Sequence, residues 1–129
     1  MANPNIIGIT GMYGNTICLI PQVATSVVFI ANPPSSGKIL KLNNIMATNI
    51  DSSSAINTTV SLYSNGSVAQ GSAPSGGTAF PLIYTLSIPA GAALTIIDKS
   101  IYLTENQSIV VTSGTASKIS YAVSYEELS

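Results

Sequence analysis

The sequence predicts an all-β protein, a single-domain antiparallel β-sandwich with an N-terminal arm. Three observations predict it: runs in which apolar and polar residues alternate, turn signals at short intervals between those runs, and no segment with a sustained helical period and caps. A length of 129 residues fits one compact domain. The alternation does not fix strand order, so a jelly-roll and an immunoglobulin-like topology both stay open.

The first element is the N-terminal segment, residues 1–15, which we separate from a sandwich body at residues 16–129. It combines apolar side chains with a glycine at positions 8, 11 and 14. This pattern fits an edge strand followed by a turn. It also fits an arm that adds its strand to a neighbouring subunit, or lays apolar side chains on one. For the arm, the predicted subunit or capsid contacts are Ile6, Ile7, Ile9, Met12 and Tyr13.

Strands follow along the rest of the chain. Alternation is clearest at residues 56–63, 82–88 and 118–126, where it predicts one face on the core and the other in solvent. In the second of these runs, Leu82, Tyr84, Leu86 and Ile88 form the apolar face. Further strands are predicted at Val23–Ile30, Ile39–Ile50, Ala93–Ile97, Ser100–Thr104 and Ser108–Thr112.

Two interruptions stand out in this series. The long run Ile39–Ile50 loses its alternation at Asn43-Asn44, which predicts a bend or a β-bulge there. The segment Ser64–Ala79 is rich in Gly, Ser and Ala and predicts a loop of unusual length for a compact domain. Such a loop is either a tolerated surface excursion or a mobile, functional segment.

Charge and composition argue against catalysis. The chain has four Lys, five Asp or Glu, no Arg, no Trp and no His, and its net charge is −1. Most enzymes that transfer protons near neutral pH use His, paired carboxylates or a Lys with a shifted pKa. The sequence therefore predicts a protein that is not an enzyme and that has no cofactor and no metal. A polar surface with few charges also tolerates close subunit packing.

The same composition bears on partners and on the thiol. The lysines form no basic cluster, so nucleic acid is not an expected partner. No stretch approaches the roughly 20 apolar residues of a membrane span, and the N-terminus lacks signal-peptide features, so no membrane partner is expected. Cys18 is the only cysteine and lies in an apolar run, which predicts a buried, inert thiol.

The six tyrosines supply the main alternative function. Exposed tyrosines on a β-sandwich can stack on sugar rings, as in a carbohydrate-binding module. Tyr121 and Tyr125 fall in the apolar phase of their strand and are predicted to be core residues. Tyr63 and Tyr102 fall in the opposite phase from their apolar neighbours and are the predicted exposed pair.

The two ends of the chain show a resemblance to a known group of proteins. The start, Met1 to Gly14, and the ends Ser100 to Ile109 and Tyr121 to Glu127 resemble small virion proteins of tailed bacteriophages, especially those of cyanophages. The resemblance implies a structural protein of the phage particle, assembled in the host cytoplasm. It most readily implies a head decoration or cement protein, often a homotrimer, whose partner is the major capsid protein or another virion protein. A tail or neck component is the near alternative.

Overall fold

The computed structural model describes residues 11–129. Within this range the chain forms strands and no helix. In chain order the strands are β1 (Met12–Leu19), β2 (Val27–Asn32), β3 (Ile39–Asn49), β4 (Ile56–Tyr63), β5 (Ala79–Ile88), β6 (Ala93–Ile97), β7 (Ile101–Leu103), β8 (Gln107–Ser113) and β9 (Ile119–Leu128).

The strands form two antiparallel sheets packed as a sandwich. The first has the order β1-β9-β3, and β6 and β7 pair with successive halves of the far side of β3. The second has the order β2-β8-β4-β5. If β6 and β7 are counted as one interrupted strand, the first strand pairs with the last, the second strand with the second-last, and so on inward. The chain is therefore arranged like a long hairpin that has been rolled up. This is the jelly-roll arrangement. The predicted β-sandwich is confirmed, and its topology is now fixed.

The core lies between the inner faces of the sheets. Its fully buried large side chains include Phe29 from β2, Leu42 from β3 and Tyr121 from β9. The rings of Phe29 and Tyr121 meet across the sandwich, with centroids 5.9 Å apart and planes tilted by 50°. Since buried apolar area is the main favourable term in folding, this contact between sheets is central to the stability of the domain.

The bulge predicted in β3 is present. The pairing of β3 with β9 shifts between Leu42 and Asn44, which leaves Asn43 as the extra residue. The bulge keeps apolar residues on the inner face on both sides of it, since Leu42 and Ile45 are both fully buried. The weakened alternation in the sequence marks this change of phase.

The prediction that β5 has a single apolar face on the core is wrong. The pairing of β5 with β4 shifts twice around Val60, and Thr85 has a φ of 47°. Each extra residue reverses which side chains face the core. As a result Leu82 and Tyr84 point to solvent, and Ile83 packs against the core instead.

The second strand begins later than predicted. Residues 22–25 form a bend, and β2 starts at Val27 rather than Val23. The reason is topological, because the chain passes from the first sheet to the second between β1 and β2. Residues 20–26 span that gap and have no neighbouring strand in either sheet.

The long loop, residues 64–78, lies over the outer face of the second sheet. There Val28, Tyr63 and Val110 form a second small apolar cluster, against which Val68 of the loop packs. The loop is fastened at several points: Gly66 N–H donates to Asn106 Oδ1 at 3.0 Å, and Gly77 N–H donates to the Tyr63 hydroxyl at 3.0 Å. The loop is therefore an ordered cover and part of the fold.

Candidate functional site

The sandwich has an open side where the edge strand β1 of the first sheet faces the edge strand β2 of the second. Between them lies a cavity of about 400 Å³, which we call the β1–β2 groove. The strands and the long loop all contribute to its walls. Its lining is Ile17, Phe29, Ile30, Ala31, Pro33, Gly66, Ser67, Val68, Ala69, Gln70 and Tyr125.

Two smaller hollows extend the β1–β2 groove along the same side. One, of about 160 Å³, is lined by residues that include Leu19, Val23 and Val27. The other, of about 130 Å³, shares Ile30 and Tyr125 with the central groove. The three hollows together follow the length of β2, which at about 3.3 Å per residue is close to 20 Å.

The groove is apolar and almost free of charge. Of the described residues, only Tyr125 brings an ionisable group, its phenol, to the lining of the central part. Charges appear at one end, where Lys38 forms an ion pair with Glu127. The hydrogen bond and the charge of Glu127 raise the pKa of Lys38 above its usual value. The groove therefore suits an apolar, uncharged ligand better than a charged one.

Among residues 11–129, the strand β1 has no partner strand on the edge that lies above the groove. Gly11 and Ser129 exchange both backbone hydrogen bonds, at 3.1 and 3.0 Å, so they are a hydrogen-bonded pair. Since such pairs alternate along an antiparallel ladder, the N–H and C=O groups of Met12, Gly14, Thr16 and Cys18 point away from β9. One of these is already used, because the Thr16 N–H donates to its neighbour Asn15 at Oδ1 at 2.8 Å.

The opposite edge, on β2, is closed at one point by the long loop. Val28 donates its N–H to the Ser72 carbonyl at 2.9 Å and accepts from the Gly71 N–H at 2.8 Å. The loop thus takes the outward backbone groups of Val28. Of the two strand edges beside the groove, that of β1 is the more open to a further strand.

Two of the five predicted contact residues lie within the described residues, and three lie outside them. Met12 and Tyr13 lie at the start of β1 and are 61% and 67% exposed. Ile6, Ile7 and Ile9 lie outside the described residues. The division at residue 15 therefore stays a prediction, although Met12 to Asn15 belong to β1.

A second exposed apolar row lies on β5, the far edge of the second sheet. Phe80, Leu82 and Tyr84 are all exposed, Tyr84 at 73%. Sequence alternation missed this row because it assigned Leu82 and Tyr84 to the core face. The two shifts in pairing that expose them have no sequence signal comparable to the Asn43-Asn44 break in β3.

Two further side-chain predictions are wrong, and three are confirmed. Cys18 is exposed, because it falls on the outer face of β1 between the inward-facing Ile17 and Leu19. Tyr63 is 8% exposed, because the long loop covers the outer face where it lies. Tyr121 is fully buried, Tyr125 packs against the core, and Tyr102 is exposed, all as predicted.

Three of the acidic side chains form ion pairs or hydrogen bonds with groups close to them. Glu126 and Glu127 lie on β9, where Glu126 pairs with Lys41 of β3 at 3.7 Å and Glu127 pairs with Lys38, the residue just before β3. Asp51 accepts backbone hydrogen bonds from Ser53 and then Ser54, and these lower the pKa of its carboxyl group. Among residues 11–129, no three His, Cys, Asp or Glu side chains are grouped so that they could hold a metal ion.

Between residues 11 and 129 the structure contains no helix of the length and apolar character needed to cross a membrane.

Comparison with known proteins does not show a family for this chain. No protein-family model and no curated protein matches the chain. Among solved structures, the chain is similar to a protein of Bacillus endospore appendages, which are described as a novel family of disulfide-linked pili. The identity is 13%, the alignment covers 100% of this chain and 96% of that one, and the TM-score is 0.47. A similarity at this identity and score carries no argument about function.

Proposed function

We propose that this chain is a non-enzymatic structural subunit that assembles with copies of itself, a trimer being the favoured state. The observation that carries the proposal is the exposure of large apolar side chains on two edge strands that have no further partner strand within residues 11–129. Met12 and Tyr13 lie on β1, and Phe80, Leu82 and Tyr84 lie on β5.

Exposed apolar side chains on edge strands have a cost in a monomer. Proteins that remain monomeric usually protect such edges with charges, short strands or a covering segment, because free edges invite pairing with another chain. Here β1 has 8 residues and no charged side chain, so its edge lacks these protections. The strand β5 also has no charged side chain, but Pro81 and the two shifts in its pairing interrupt its edge, so β1 is the more open of the two edges. Two apolar edges on opposite sheets, on a protein with a net charge of −1, fit a subunit that buries them against neighbours.

The particle is proposed from the resemblance of the chain ends to phage virion proteins. On that basis the assembly is a bacteriophage particle, and the chain decorates and stabilises its head by contacts with the major capsid protein. A location in the tail or neck is the alternative. The jelly-roll body and the exposed edges of β1 and β5 suit any of these positions.

The experiment is to locate the chain in purified phage particles. Quantitative mass spectrometry of separated heads and tails should find it in the head fraction, in a fixed ratio to the major capsid protein. A fixed ratio in the tail fraction would replace decoration by the tail or neck alternative. Absence from both fractions, with the protein abundant in the infected cell, would overturn the virion assignment.

A further inference from the structure

We infer that the β1–β2 groove is the acceptor site for residues 5–9 of a second copy of the chain. This inference rests on the proposed self-assembly and specifies how two copies join. Residues 5–9 add as a strand to the free edge of β1, and the side chains of Ile7 and Ile9 enter the groove.

The segment and the groove match in chemistry. Residues 1–10 contain no charged side chain, and the central groove is lined by apolar and uncharged groups such as Ile17, Phe29 and Val68. A charged segment would lose hydration there without gaining a partner. The charged groups nearby, Lys38 and Glu127, are already paired with each other at one end.

Residues 5–9 and the β1–β2 groove also match in geometry. In an extended segment Ile7 and Ile9 share one face, and Gly8 lies between them on the other. In a register that sets Ile7 and Ile9 opposite odd-numbered residues of β1, that face lies on the same side as Ile17 and Leu19, which point inward toward the core. Five residues extend about 17 Å, within the roughly 20 Å of the groove.

Residues 5–9 of the same chain match the β1–β2 groove less well than residues 5–9 of a second copy. Gly11 is held by its two hydrogen bonds to Ser129, so any reversal toward β1 occurs before it. The tightest hairpin has a two-residue loop, which would place Gly8 opposite Gly11. In that register Ile7 lies beside Met12, and Ala2 comes beside Ile17. Longer loops move the isoleucines farther away still. A second copy is not bound by this register and can bring Ile7 and Ile9 to Ile17.

Such a contact joins unlike surfaces, the segment of one copy and the groove of the next. A heterologous contact of this kind closes into a ring or continues as an open chain. A trimer is one of the closed solutions. The arrangement also explains why the free edge of β1 is left without a partner strand among residues 11–129.

The first test compares two full-length variants by sedimentation velocity. The double variant Ile7→Asp with Ile9→Asp should weaken self-association on the order of a hundredfold, because two buried apolar side chains are lost from the contact. The matched control is Ser52→Asp with Thr95→Asp, which adds the same two charges at exposed positions outside the groove lining and should retain association within about tenfold. If the native protein assembles and the double variant assembles equally well, this inference is wrong and the proposed function stands. If the native protein is itself monomeric, the proposed self-assembly fails.

The second test cross-links the two partners directly and does not depend on a destabilising substitution. Cysteines replace Ile9 and Ala69, an exposed position in the groove lining, in a Cys18→Ser background. Oxidation should give covalent dimers and higher species on a non-reducing gel. The control moves the acceptor cysteine to Thr95, which is exposed on β6 outside the groove lining, and should give none. A cross-linked monomer would show that the segment occupies its own groove, and no cross-link above the control would show that it does not use the groove. Either result overturns the inference.

Discussion

The hydroxyl of Tyr121 on β9 hydrogen-bonds to the hydroxyl of Thr58 on β4, which joins the two sheets inside the core. Tyr121 also donates to the Thr112 carbonyl on β8 at 3.2 Å. Both side chains are buried, Thr58 at 1% exposure and Tyr121 at 0%. The pair supplies the polar partners that a buried hydroxyl needs in an apolar core. Burial raises the pKa of Tyr121 to about 12, and the hydrogen bond from Thr58 opposes that rise.

Alkaline pH should therefore weaken the fold through Tyr121. Its pKa is raised in the folded state above an unfolded value near 10, so its contribution is complete below about pH 10 and is lost as pH rises toward 12. The expected loss in free energy of unfolding across that window is about 2–3 kcal/mol. Urea unfolding at a series of pH values measures it. The variant Tyr121→Phe should lack this part of the slope, and an equal slope in both proteins would contradict the role given to Tyr121.

Replacing Gly66 by Ala should detach the long loop. A Cβ at Gly66 would lie 2.2 Å from the Asn32 carbonyl oxygen and 2.7 Å from that of Gln107, both backbone atoms that cannot easily move. We expect a loss of about 3 kcal/mol in the free energy of unfolding. Gly14→Ala is the control, because nothing lies within 4 Å of a Cβ there, and it should cost nothing measurable. Thermal unfolding of both variants measures the loss. A Gly66→Ala protein as stable as the native one would contradict the close approach of Gly66 to the backbone of Asn32 and Gln107.

The Tyr63 hydroxyl should hold the far end of the same loop. It accepts from the Gly77 N–H, and because Gly77 is exposed, water can replace the hydroxyl in Tyr63→Phe, so the variant should cost about 0.5–1 kcal/mol. Hydrogen exchange at Gly77 should speed up in parallel. The control is Tyr102→Phe, which alters an exposed tyrosine and should change neither quantity. Unchanged exchange at Gly77 in Tyr63→Phe would show that the hydroxyl does not hold the loop.

The thiol of Cys18 should react in the native protein. Because Cys18 lies exposed on the outer face of β1, a chromogenic disulfide reagent should modify one thiol per chain without denaturant. The rate should differ little when the protein is unfolded in urea. Cys18→Ser provides the blank. A thiol that reacts only after unfolding would mean that the outer face of β1 is covered in solution.

Local patterns in the sequence predicted the sandwich and nearly all its strands. The runs that became β4 and β9 alternate without interruption, and the break at Asn43-Asn44 announced the bulge in β3. Sequence reasoning failed where a distant contact decides the outcome. The two shifts in β5 arise from its pairing with β4, and they expose Tyr84 against its local pattern.

The candidate site was predictable only in part. Apolar residues near the N-terminus predicted subunit contacts there. Met12 and Tyr13 are exposed, and their contact with another subunit stays a prediction. The β1–β2 groove could not be foreseen, because its walls come from strands and a loop that only the jelly-roll topology brings together. The burial of Tyr63 likewise depends on a loop whose path the sequence does not state. That burial removes one of the two tyrosines on which the sugar-binding alternative rested.

The mass of the full-length protein in solution is the most direct test of the central claim, that this chain is a self-assembling structural subunit. Multi-angle light scattering at micromolar concentration should give a multiple of the 13.2 kDa chain mass, with a trimer expected. A mass of one chain at that concentration and at every higher one tested would contradict the claim.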